Sequence, residues 1–401
     1  MQRKIVGHGH DVKIALFYFC LAAIFGVVLR LFPVVETQAN YKFIVHTHSH
    51  IALLGWVYIA LASLLYRCFI RTGTTDPTYL RIFWFTQLTL VGMLFAFPFQ
   101  GYALFSIIFS TLFLFASYWF LAFFLKNQSP ALKKTPGLRC AKAALLYMVI
   151  SSIGPWALGG IMNTLGAESV WYRMAIYFYL HFQYNGWMIL ALTALAFLML
   201  ERHKINLSKA QFKKFFLCLN MGIVLSLFLS TLWVEPPLFF YFLGGMGAIL
   251  QLFAFAYLIL LASPQISTKG LSTLQRKLLK WAVVFLITKI LLQLLTSLPY
   301  FAKVAASYLD LTIGYLHLTF LGVVSIGLFL FLDYFGLLKL PRNAIGLYLT
   351  GFVGTETLIF YKGVAAWQSW PLFDGYYEAL AIGSLLIVIS LLAKLALNLK
   401  K

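Results

Sequence analysis

The chain has 401 residues, 62% of them apolar and only 10% charged, with a mean hydropathy of +0.88. Soluble domains carry about 25% charged residues, so this composition excludes a soluble globular protein and predicts a polytopic membrane protein. The formal net charge of +20 invites a nucleic-acid partner. Its placement excludes one. Apart from Arg30, Lys42, Arg173, Lys303, Lys362 and Lys289, every Lys and Arg falls at a chain end or in alternate loops between apolar runs. That is the positive-inside pattern, and it predicts both termini in the cytoplasm of a bacterial inner membrane.

Taken in chain order, the apolar runs predict an all-α fold of twelve transmembrane helices, each about 20 residues long. They fall at roughly 12–33, 43–66, 82–102, 104–125, 140–162, 173–200, 214–233, 237–262, 278–299, 309–332, 343–361 and 375–396. They are numbered spans 1 to 12 here. Span 1 is too long for a signal core and reads as retained. The basic loops are 67–81, 126–142, 201–214 and 263–280. The opposite connections carry Glu36, Glu168, Glu235, Asp310, Asp374 and Glu378, with an aromatic belt that includes Tyr41, Trp171, Trp233, Trp367 and Tyr376. Belts of this kind mark the membrane–water interface. The four cysteines, Cys20, Cys68, Cys140 and Cys218, make no C-x-x-C and no C-x-x-C-H. This excludes a thiol metal clamp and a covalent c-type heme.

Span 2 carries His46-Thr47-His48-Ser49-His50. At about 100° per residue, His46 and His50 share a face and His48 points about 160° away from His50. One helix therefore offers imidazoles to two sites. His50 is followed five residues later by Gly55. The same spacing recurs in span 6 as His181 and Gly186, and in span 10 as His317 and Gly322. All three spans enter from the outer face, and each histidine lies roughly 12 Å deep at 1.5 Å per residue. The recurrence predicts three pseudo-repeated four-helix units, about 1–134, 135–270 and 271–401. Imidazole inside lipid defaults to a functional reading, and neutral imidazole ligates heme iron, copper and zinc. Hydrogen bonding to neighbouring helices is the plain alternative. Lys289 in span 9 and Glu356 in span 11 add charge at depth, as a proton path or as partners of nearby helices. His8, His10 and Asp11 form a weak terminal metal candidate.

The layout of twelve helices with histidines on spans 2, 6 and 10 resembles subunit I of the heme-copper oxidase superfamily. Locally, His48-Ser49-His50-Ile51-Ala52-Leu53-Leu54-Gly55-Trp56 is similar to the H-x-H…G-W helix of cbb-type oxidases and nitric oxide reductases, and to the His-rich helices of NnrS-type membrane heme proteins. The resemblance implies a b-type heme held by His50 and His317, a copper ligand at His181, and a second heme or metal at His48 with His181 or His46. It also implies Arg30, Lys42 and Arg173 as propionate partners, a quinol or cytochrome donor, and electron transfer or small-gas (NO or O2) chemistry. The departures are specific. The family's helix-7 histidines have no counterpart, and span 7 offers only Asn220. Phe182 and Gln183 stand where the helix-6 pattern has Pro and Glu. Two other classes stay open: a heme or metal binder or gas sensor without turnover, and a proton-coupled transporter.

Overall fold

The computed structural model describes residues 9–266 and 270–400. Lipid gives backbone amides no partner, so only self-satisfied helices cross it as separate segments. The protein accordingly is an all-α polytopic membrane protein with no strand among the described residues. Among the described residues, twelve helices are long and apolar enough to span: His10–Leu31, Tyr41–Ile70, Asp76–Gln100, Leu104–Asn127, Pro136–Thr164, Val170–Arg202, Lys209–Val234, Leu238–Pro264, Thr273–Leu295, Leu309–Tyr334, Arg342–Gln368 and Tyr376–Leu399. Each matches one predicted span, and the numbering is kept.

Local chemistry sets the ends. Asn40 caps span 2 through Phe43 N, and Thr135 caps span 5 through Leu138 N. Ser208 and Ser272 close capping boxes with Gln211 and Gln275. These side chains satisfy amides that have no partner inside the helix. Spans 3 and 4 are separated by Gly101 at φ +58°, a conformation glycine adopts without a Cβ penalty. Span 5 breaks at Ser152, between helices Pro136–Ser151 and Ile153–Thr164. Pro155 explains the break, because its ring clashes with the carbonyl four residues back. Span 9 stops at Leu295, earlier than predicted. Pro299 then opens a separate helix, Pro299–Ser307, at the position where its missing N–H costs nothing.

The chain divides into two compact units, Met1–Ser129 with Ser325–Lys401, and Pro130–Val324. In the first unit, span 1 packs on spans 2 and 12, span 2 on span 3, span 3 on span 4, and span 11 on span 12. In the second, span 5 packs on span 6, and span 7 on span 8. Spans 2, 6 and 10, which carry the repeated histidine and glycine, are the most buried: 83%, 89% and 72% of their apolar 18-residue windows are buried, against 50% or less in the other nine.

These three spans share a feature the sequence periodicity did not signal. Each passes from α- to π-helix at the residue after its histidine: Ile51–Tyr58 after His50, Phe182–Met188 after His181, and Leu318–Ser325 after His317. The glycine is the fifth residue of the π stretch each time. Two of the glycines meet a tyrosine from the preceding span. A Cβ on Gly55 would stand 2.8 Å from Tyr18 Cβ, and one on Gly186 would stand 2.6 Å from Tyr147 Cβ. Tyr18 and Tyr147 thus fill the groove that each glycine leaves open. Gly186→Ala is expected to cost about 1–3 kcal/mol by overpacking. Gly346→Ala, with nothing within 4 Å, should stay within about 0.5 kcal/mol of the parent. Thermal unfolding in detergent separates the two, and equal midpoints for both variants would contradict this packing.

Candidate functional site

The histidine cluster of span 2 divides between two faces. The His48 ring turns to span 1, where its Nδ1 lies 2.8 Å from the carbonyl of Ala22. A carbonyl only accepts, so Nδ1 is the protonated nitrogen and Nε2 carries the lone pair. Gly26 lies one turn on from Ala22, and a Cβ there would stand 3.2 Å from His48 Cε1. Glycine at this position makes room for the ring. Arg30, one further turn on the same face, places its charge within electrostatic reach of both His48 and Glu356. Ala22, Gly26 and Arg30 therefore form a stripe along span 1 beside His48.

Glu356 lies on the buried face of span 11 and is 7% exposed. Neither carboxylate oxygen has a hydrogen-bond partner among the described residues. Burying an ionised carboxylate unpaired costs several kcal/mol, so a neutral acid or a compensating cation is required there.

His50 turns to the other side. Its Nδ1 donates to the His46 carbonyl at 2.8 Å, and its Nε2 accepts from Tyr102 Oη at 3.1 Å. Phe97 packs against the His50 ring with centroids 4.3 Å apart. His46 makes an edge-on contact with Tyr102 at 4.6 Å. His48 and His50 thus lie on different faces of span 2. Tyr102 was not singled out from sequence, because nothing in the Gln100-Gly101-Tyr102 turn marks it.

The second unit uses its histidine differently. His181 is 1% exposed, and its Nε2 donates to the Ile223 carbonyl at 2.8 Å. The lone pair is therefore on Nδ1, which accepts from Asn185 Nδ2 at 3.2 Å. Ser230 Oγ lies 3.4 Å from the same nitrogen. Both ring nitrogens are thus engaged, and the tautomer is opposite to that of His48 and His50. Asn185 Oδ1 in turn accepts from the Lys289 ammonium. Lys289 is fully buried, donates to Gln293 Oε1 at 2.7 Å, and lies 5.4 and 5.8 Å from the ring centroids of Tyr184 and Tyr315. Tyr315 Oη donates to Gln293 Oε1 at 3.2 Å. A buried cation is held here by two amide oxygens and two aromatic faces. His317 is half-buried on span 10 of this unit. His50 and His317, paired by the resemblance, belong to different units.

The remaining candidates are placed as follows. The Arg173 guanidinium stacks on Trp233 at 4.6 Å, and Lys42 is exposed. The Asp11 carboxylate is committed to Arg67 at 2.6 Å and to Tyr79 Oη at 2.9 Å. His8 lies outside the described residues. The charge pattern assigns Lys394 to the cations of the C-terminal end, yet it is fully buried inside span 12. It donates to Ser390 and to the Ala344 carbonyl, with the rings of Phe329 and Tyr348 about it. Its i+4 spacing from Ser390 is the one trace of this in the sequence. Among the described residues, no three His, Cys, Asp or Glu side chains gather as a metal site. No protein-family model matches the chain, and no curated protein matches it by sequence.

Lys289→Met removes the Lys289 donor from Asn185 Oδ1, while Gln293 Oε1 loses one of its two donors and keeps Tyr315 Oη. A buried acceptor left unsatisfied costs about 1–3 kcal/mol. A clear fall in thermal midpoint is expected, and an unchanged or raised midpoint would show that the ammonium does not hold this network.

Proposed function

We propose that the chain is a multi-pass membrane heme protein that holds a non-covalent b-type heme through imidazole on span 2, with His48 as the iron ligand. The carrying observation is the His48 ring. Its Nδ1–H is fixed on a backbone carbonyl, which presents Nε2 in the form that binds iron. Metal-ligating histidines almost always donate their other ring nitrogen in this way. Gly26 lets the ring seat closely against span 1, and Arg30 stands near the same stripe as a cation suited to a carboxylate. The residues present fit the group.

When bound, the heme would supply one-electron chemistry, or bind NO or O2 if one axial position stays open. The chain's own contribution is to fix the tautomer, exclude water and place charge. The His-Gly-Trp run supports kinship with the heme-copper oxidases and nitric oxide reductases. Electron transfer or gas binding is the reading; a three-histidine copper site is not part of it. A quinol or a separate cytochrome would be the donor. A bacterial inner membrane with both termini inside follows from the charge distribution.

A proton-coupled transporter is the second reading, favoured by the buried Lys289–Asn185–His181 chain and by Glu356. An absorption spectrum of the purified protein decides. A Soret band that is lost in His48→Ala and kept in His46→Ala is expected. No Soret band in the parent protein would put the transporter ahead. Loss of the band in His50→Ala with retention in His48→Ala would move the iron to the opposite face of span 2.

A further inference from the structure

We propose that His46, His50 and Tyr102 form a second site, for a divalent transition-metal ion of the Cu(II) or Zn(II) class, at the end of span 2 that carries Tyr41. The site is separate from the heme reading, which uses His48 on the opposite face.

His46 and His50 lie one helical turn apart, the spacing with which two imidazoles on one helix chelate a metal. The Nδ1–H of His50 is fixed on the His46 carbonyl, so its Nε2 lone pair faces Tyr102 Oη at 3.1 Å. No described residue hydrogen-bonds to the His46 ring. The His46 and Tyr102 rings meet edge to face, with centroids 4.6 Å apart and planes at 68°. Two imidazoles of span 2 and the phenol of the Gly101 turn thus stand side by side.

The turn that delivers Tyr102 is docked rather than loose. Gly101 takes φ +58°, and a Cβ there would fall 2.4 Å from the Phe43 ring of span 2. Ser106 Oγ ties the turn down by donating to the Gly101 carbonyl at 2.6 Å. Phe97 is fully buried and lies 5.1 Å from Tyr102 and 4.3 Å from His50, closing the floor. Tyr102 is 49% exposed, so the protein leaves the roof uncovered.

Nitrogen and phenolate donors suit Cu(II) and Zn(II) rather than Mg(II) or Ca(II). On binding, the phenol O–H bond breaks and an oxygen–metal bond forms. The proton leaves on a water molecule of the entering hydrated ion, and the Tyr102–His50 hydrogen bond is replaced by two metal–ligand bonds. No oxidant or reductant is needed. Lys42 is the opposing charge: it lies one turn before His46 and acts on it.

The probe is Cu(II), titrated into chelator-stripped full-length protein in detergent. One equivalent is expected to bind, with paramagnetic resonance showing coupling to two imidazole nitrogens. A phenolate-to-copper absorption band should be present in the parent and absent in Tyr102→Phe. His46→Gln should weaken binding at least tenfold, and Lys42→Gln should tighten it. The Soret band should stay unchanged in His46→Gln, which separates this site from the heme. Equal Cu(II) binding by the parent and by His46→Gln would overturn the proposal. So would a parent spectrum identical to that of Tyr102→Phe.

Discussion

A backbone that enters lipid has to satisfy every amide from within, and this constraint organises the molecule. It makes each crossing a helix, and it decides where a helix is allowed to depart from α geometry. A π turn adds a residue to the hydrogen-bonded ring and leaves the regular ladder, which is tolerable where protein rather than lipid surrounds it. The π stretches that follow His50, His181 and His317 obey this rule, because spans 2, 6 and 10 are the three most buried. The same burial makes an imidazole there costly unless it is bonded, so histidine, π turn and interior position occur together.

Within that shared frame the units diverge in proton placement. In the first unit, both His48 and His50 give their Nδ1 proton to a main-chain carbonyl and keep the lone pair on Nε2. In the second, His181 gives its Nε2 proton to Ile223 and sits at the end of an amide chain that begins at Lys289. A ring arranged like His48 is prepared to be a ligand. A ring arranged like His181 is prepared to anchor a neighbour. The repeated motif therefore does not imply a repeated role, and the difference comes from what the facing helix presents: the Ala22 carbonyl with Gly26 in one case, the Ile223 carbonyl with Asn185 and Ser230 in the other.

The sequence made the helical class legible because twelve long apolar runs leave no competing fold, and His46, His48, His50, His181, His317, Lys289 and Glu356 stand out wherever the background is apolar. Much of the geometry was not legible. Nothing in the apolar periodicity distinguishes a π turn from an α turn, so the re-aiming after each histidine was invisible. Lys394 escaped notice because its position near the chain end matches a loop cation, while the fold buries it against Ala344 and Ser390. Tyr102 escaped because its partner lies 52 positions away and only the Gly101 turn brings the two together. Asn185 is part of the second His-x4-Gly run, yet its link between His181 and Lys289 needs span 9 beside span 6.

The central claim is the proposal that His48 of span 2 ligates heme iron through Nε2. An experimental density map of the purified protein tests it most directly. The expected result is a flat, macrocycle-sized density bonded to His48 Nε2, with Nδ1 still on the Ala22 carbonyl. A His48 ring that meets only side chains or lipid at Nε2, in protein prepared with heme available, would contradict the account.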